Sequence, residues 1–234
     1  MLPLSALELE AIQLSLKVAF WAVLVSLPFG IMAAWGLARY NFPGKTLVNG
    51  LIHLPIIVPP VVVGYLLLVL LGRRGALGAW LYDTFEVSVA FTWKGAAVAS
   101  AVMAFPLMVR AIRLSLENVD PKLEQAARTL GAKPWYVFVS ITLPLTLPGI
   151  LTGVVLAFAR SLGEFGATIT FVSNIPGETR TLPLALYTLT QTPDGEGAAL
   201  RLVVIAIILA LGALILSEYL ARRVNQRIGG RDNG

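Results

Sequence analysis

Charge is missing from five long stretches of this chain. No Asp, Glu, Lys or Arg lies between Lys17 and Arg39, Lys45 and Arg73, Lys94 and Arg110, Lys133 and Arg160, or Arg201 and Glu218. A helix that crosses about 30 Å of hydrocarbon needs about 20 predominantly apolar residues. The stretches therefore predict five membrane spans, near residues 13–38, 48–71, 88–110, 146–172 and 199–220. The third takes in Lys94 close to its end, where a long side chain reaches back to the interface. The alternation expected of membrane strands is absent, and only helices or closed barrels satisfy the backbone in lipid, so the expected fold is an all-α polytopic bundle. The first span is too long, and too poor in preceding Lys or Arg, for a cleaved leader.

Composition closes off other classes. Of 234 residues, 57% are hydrophobic and 13% charged, against about 25% charged in a typical soluble domain. That excludes a soluble enzyme, a disordered chain and, despite a pI of about 9.7, a nucleic-acid binder. With no cysteine and one histidine, thiolate chemistry and His-clustered metal sites are excluded as well. Gly44-Lys45-Thr46 superficially suggests a phosphate loop, but such a loop needs a glycine where Arg39 stands and a strand before it.

The net charge of +5 is unevenly spread. Arg39 and Lys45 lie in the loop after the first span. Arg110, Arg113, Lys122, Arg128 and Lys133 follow the third, and Arg222, Arg223, Arg227 and Arg231 follow the fifth. With five spans these regions share one side. Short cytoplasmic loops are enriched in Lys and Arg, so this side is expected to be the cytoplasm and the N-terminus to lie outside.

The loop after the third span carries helix signals. Asp120 suits an N-cap and Pro121 the first helical position. Leu123, Ala126, Ala127 and Leu130 recur at helical spacing, and Gly131 suits a left-handed stop. Pro134 is expected to open a second short helix that ends before Pro144. Spacing alone leaves open whether this hairpin packs on its own bundle or offers a small-residue face to another protein.

The pattern Gln125-Ala126-Ala127-x3-Gly131-x9-Ile141-x-Leu143-Pro144 resembles the EAA loop of binding-protein-dependent ABC importer permeases. Gln125 stands where that family usually has Glu, with Glu124 just before it. Phe42-Pro-Gly-Lys45, Leu54-Pro-x3-Pro59-Pro60-x3-Gly64, Ala159-Arg-Ser-Leu-Gly-Glu-Phe-Gly-Ala167 and the stretch 172–181 are similar to the molybdate and sulfate branch. The resemblance implies a type I ABC importer permease fold over residues 11–222, with a coupling loop at 117–145 and a short basic tail at 223–234. It implies that Glu124, Gln125, Ala126, Ala127 and Gly131 form a coupling helix that docks in a cleft of an ATPase. The implied partners are two ATP-binding subunits, a second copy of the chain and an extracytoplasmic oxyanion-binding protein. The implied setting is the bacterial cytoplasmic membrane. ATP and Mg would be held by the ATPase, so this chain would bind no cofactor and catalyse nothing. Molybdate is the implied cargo, with sulfate, thiosulfate or tungstate as the alternatives within the branch.

Residues inside the spans suggest a pathway. Pro55, Pro59 and Pro60 interrupt the second span, because proline removes a donor and clashes with the preceding turn. A second half-helix starting near Pro60 would leave N–H groups at about Val61 to Val63 free to attract an anion. Arg160 and Glu164 fall inside the fourth span. Unpaired charges there are costly, so i,i+4 pairing is expected, with a pathway role as the functional reading and Gly163 and Gly166 as points of bending. Gly149, Gly153, Ala157 and Ser161 form a small-residue ridge for close helix packing, within the chain or against a second copy. His53 reads as a satisfied polar residue, and the five tryptophans as interfacial anchors.

Overall fold

The computed structural model describes residues 5–229; Arg231 and the rest of 230–234 lie outside the described residues, as do the side chains of Arg222, Arg223 and Arg227. Eleven α-helices occur among the described residues. α1 (Ala6–Arg39) opens with a capping box: the Ser5 hydroxyl accepts from Glu8 N–H, and Glu8 accepts from Ser5 N–H. α2 (Lys45–Ile57) follows Gly44, whose φ of 84° only glycine adopts without strain. α3 (Pro60–Leu71) turns sharply into α4 (Ala76–Phe85). A Cβ at Gly78 would sit 2.0 Å from the Gly72 carbonyl oxygen, so this corner requires glycine.

α5 (Trp93–Glu117) is the central helix, with small residues burying it along much of its length. It starts five residues later and ends seven residues later than the expected span 88–110. Thr92 caps it, accepting from Gly95 N–H, and the Glu178 carboxylate accepts from Trp93 N–H. The charge-free gap marks the hydrocarbon layer; the helix itself continues past it, carrying Arg110 and Arg113. α6 (Pro121–Thr129) and the short α7 (Pro134–Val137) then lead into α8 (Leu143–Leu162).

Three expectations need correction. The helix begun at Pro134 does not stop before Pro144 but runs on into α8 through a π turn over Phe138–Thr142. Proline clashes with the carbonyl four residues back. Here Leu143 N–H bonds the Phe138 carbonyl, five residues back, and this wider turn relieves the clash. The fourth span is not one helix over 146–172. α8 ends at Leu162, and α9 (Gly166–Val172) starts after a break. α10 (Leu182–Thr190), absent from the sequence expectations, is pinned to α1 where Leu182 N–H donates to the Ser15 hydroxyl at 2.6 Å. α11 (Glu196–Gly229) extends beyond the expected span, through much of the segment read as a tail.

Two contacts fix the direction of the bundle. Lys17 Nζ lies 3.8 Å from the centre of the Trp93 ring at one end. At the other, Leu37 shares an apolar cluster with Ile112 and Leu116. α1 and α5 therefore run the same way, and the α2–α3 segment between them must recross the bundle even though its halves meet at 113°. α8 runs against α5, with Gly149 against Ser115 and Gly153 against Met108. α11 returns beside α8, where Arg201 meets Glu8 at 3.0 Å near the N-terminal end. Among the described residues the chain thus crosses the bundle five times, counting the bent pair as one crossing, and the α6 loop lies at the end opposite Ser5.

Candidate functional site

The α6 loop is built as its residues demand. Asp120 accepts from Lys122 N–H at 2.9 Å. Gly131 has φ 88°, and Ala132 N–H reaches back to the Ala127 carbonyl at 3.1 Å, the double turn that ends a helix in a left-handed residue. No residue of α6 is buried. Gln125 and Ala126 are exposed and Ala127 is half-buried. Leu130 is 89% exposed, and Trp135 is 72% exposed just beyond it. Exposed apolar side chains beside a charged helix are the kind of surface that contacts a protein or a membrane.

Glu124 does not belong to that surface. Its carboxylate accepts from Arg39 at 2.9 Å and from the Thr142 hydroxyl at 2.8 Å. Arg39 also donates to the Val119 carbonyl at 3.4 Å. Glu124 is thus turned toward its own bundle, tying the loop to the end of α1 and to the π turn. Sequence reasoning grouped it with the docking residues and missed Arg39 and Thr142 as its partners. The available signal was a carboxylate and a cation both confined to the same short polar layer.

The second cluster lies where α2–α3 and α8–α9 break. Pro60 is the first residue of α3, with Pro59 at its N-cap. Of the N–H groups expected to be free, those of Val62 and Val63 bond the Pro59 carbonyl, at 2.9 and 3.4 Å. Val61 N lies 3.4 Å from where a Gly166 Cβ would be, and Pro60 Cβ 2.8 Å. The start of α3 is therefore packed against Gly166 and does not form an open anion cup. Gly64 is held against α9 as well, since a Cβ there would come within 2.5 Å of the Ala167 carbonyl oxygen.

Arg160 and Glu164 pair at 2.7 Å, with the Glu164 side chain 1% exposed and that of Arg160 30%. Glu164 stands past the end of α8, in the break itself. Its second oxygen accepts from Ala167 N–H at 2.8 Å, capping α9. One carboxylate therefore neutralises a cation on α8 and closes the first turn of α9. The ridge of Gly149, Gly153, Ala157 and Ser161 packs within the chain, its two glycines directly against α5. His53 Nδ1 lies 2.8 Å from the Asn49 carbonyl oxygen. Among the described residues, no three His, Asp or Glu gather as a metal site would require.

Comparison with known proteins places this architecture. The chain is 67% identical to the molybdenum transport system permease protein ModB of Escherichia coli (strain K12), over 95% of this chain and 97% of the relative. It is 62% identical to its namesake from Haemophilus influenzae over the same shares. Against the sulfate transport system permease protein CysT of Escherichia coli (strain K12), identity is 36% over 98% of this chain and 90% of that one. In fold it matches a chain of a bacterial ABC transporter involved in the import of the acidic polysaccharide alginate. The TM-score is 0.72 at 20% identity, over 94% of this chain and 80% of that chain. Residues 26–226 match the model of the binding-protein-dependent transport system inner membrane components, and the chain belongs to that family.

Proposed function

We propose that this chain is the membrane-spanning subunit of an ATP-driven molybdate importer. It works with a second copy of itself, two ATPase subunits beneath the α6 loops, and a soluble oxyanion-binding protein on the opposite face. Near-full-length identity of 67% to a molybdenum transport permease carries the reading of the cargo; the sulfate permease CysT stands much further away. The concentration of Lys and Arg around α6 favours the cytoplasm for that side and the exterior for the N-terminus.

The geometry supplies a transmission route. An ATPase docked on Ala126, Ala127 and Leu130 pushes α6. Glu124 passes the displacement to Arg39 on α1 and Thr142 at the foot of α8. α8 carries it to the break at Gly163, where the Arg160–Glu164 pair and the Pro59–Pro60 corner meet Gly166. Movement of α9 against α3 then exposes the pathway to one side or the other, with ATP biasing the populations of the two states. ATP and Mg reside on the partner, so this chain contributes positioning and no bond chemistry.

The test is molybdate uptake into vesicles bearing the complete assembly, with molybdate-loaded binding protein outside and ATP within. Uptake should require both partners, and tungstate should compete more strongly than sulfate. Uptake by this chain without ATPase subunits would instead identify a stand-alone carrier. Sidedness is checked in parallel. Arg128→Cys, in a chain with no thiols, should resist an impermeant maleimide in intact cells; labelling from outside would invert the topology.

A further inference from the structure

One stripe of α5 changes character along its length. Ala96, Ala99, Met103 and Pro106 recur at three- and four-residue steps and are buried, the first three in the cluster that holds Val63 of α3 and Ala167 and Phe171 of α9. The same stepping continues through Arg110, Arg113 and Glu117, so these residues lie on the same face. Beyond the level of α3 and α9 that face is left open. Arg110, Arg113, Leu114 and Glu117, with Asn49 and His53 of α2, line a cavity of about 370 Å³.

Its charges are unbalanced. Arg113 is satisfied, donating to Glu117 at 2.7 Å and to Asn49 Oδ1 at 3.0 Å. Arg110 has no carboxylate partner among the described residues. Because Asn49 accepts through its oxygen, its amide N–H groups remain available. The Asn49 backbone carbonyl can only accept, so His53 Nδ1 carries the hydrogen of that contact, leaving Nε2 uncommitted. The cavity therefore combines one uncompensated guanidinium with spare amide donors, a set suited to a small oxyanion.

We propose that this cavity is a transient oxyanion site at the α6-side mouth of the pathway. It receives the tetrahedral anion after the anion passes the Pro59–Gly166 layer, and it releases it readily because Glu117 already neutralises Arg113. This rests on the importer reading above. A phospholipid headgroup presents the same phosphate-like chemistry, and the experiment separates the two sources.

In the complete assembly in vesicles, Leu114→Cys provides the chain's single thiol, whose reaction with a soluble maleimide on the α6 side reports occupancy. Millimolar molybdate should slow this reaction in vesicles of purely zwitterionic lipid. With Arg110→Gln added, about tenfold more molybdate should be needed for the same protection, the loss expected for one charge-assisted hydrogen bond. Glu117→Gln should act in the opposite direction and lower the requirement, which keeps the test informative if the Arg110 variant assembles poorly. Arg74→Gln, at the far end of the bundle, should leave protection unchanged. Normal ATP-driven uptake with no protection by molybdate would overturn this site alone. Protection that follows added anionic lipid and ignores molybdate would reassign it to a headgroup. Absence of uptake by the unsubstituted assembly would overturn the importer reading and this site together.

Discussion

Two Arg–Glu pairs, one at the α6 loop and one at the break between α8 and α9, are built differently. Arg39 and Glu124 are 85 residues apart and join α1 to the α6 loop, with side chains 16% and 13% exposed. Arg160 and Glu164 are four residues apart, and Glu164 is sealed from solvent. The first pair is largely shielded at the polar end of the bundle, and its value lies in where it puts the loop. The second sits where a charge left alone is expensive, and its carboxylate also caps α9. One pair positions a loop, whereas the other holds together the break between α8 and α9.

The largest effect that contrast predicts is at Glu164. Glu164→Ala removes the partner of Arg160 and the cap of α9 together, and should cost about 3–5 kcal/mol. The measurement is the melting temperature of the purified permease in detergent, together with its yield from membranes. Glu164→Gln combined with Arg160→Gln should recover part of that loss relative to either single change. A double variant no better than the worse single one would mean that pairing is not what the two residues provide. A smaller effect is expected at Gly131, whose φ of 88° a β-branched residue resists. Gly131→Val should cost about 1–2 kcal/mol of local strain, leave the permease in the membrane, and reduce co-purification of the ATPase. Undiminished co-purification would make the loop's end irrelevant to docking.

The difference between the pairs also marks how far the sequence could be read. Charge-free gaps located all five crossings because the hydrocarbon layer excludes charge whatever the tertiary fold. Asp120, Pro121 and Gly131 announced α6 because caps and turn residues act locally. The i,i+4 spacing announced Arg160–Glu164 for the same reason. What escaped depends on contacts across the chain. Arg39 and Glu124 are far apart in sequence, so no periodicity connects them. The break at Gly163 looked like flexible continuation because Gly163 and Gly166 do not show that Pro60 closes on α9. The anion cup expected at Val61–Val63 failed because Gly166, about one hundred residues later, fills it. Pro144 read as a stop because a π turn that accommodates it depends on how α7 and α8 are held against α1, where Trp35 meets Phe138 at 5.4 Å.

If the Glu124 anchor makes the α6 loop a transmitter, removing it should uncouple hydrolysis from import. The most direct measurement is the number of molybdate ions imported per ATP hydrolysed, in vesicles containing the complete assembly, for the unsubstituted chain and for Glu124→Ala. Some stability should be lost, because Arg39 is left largely buried without its carboxylate, but the ATPase should still co-purify because Ala126, Ala127 and Leu130 are untouched. Hydrolysis should then continue while import falls, so that the ratio drops several-fold. An unchanged ratio in a fully assembled Glu124→Ala transporter would show that Glu124 does not transmit the motion.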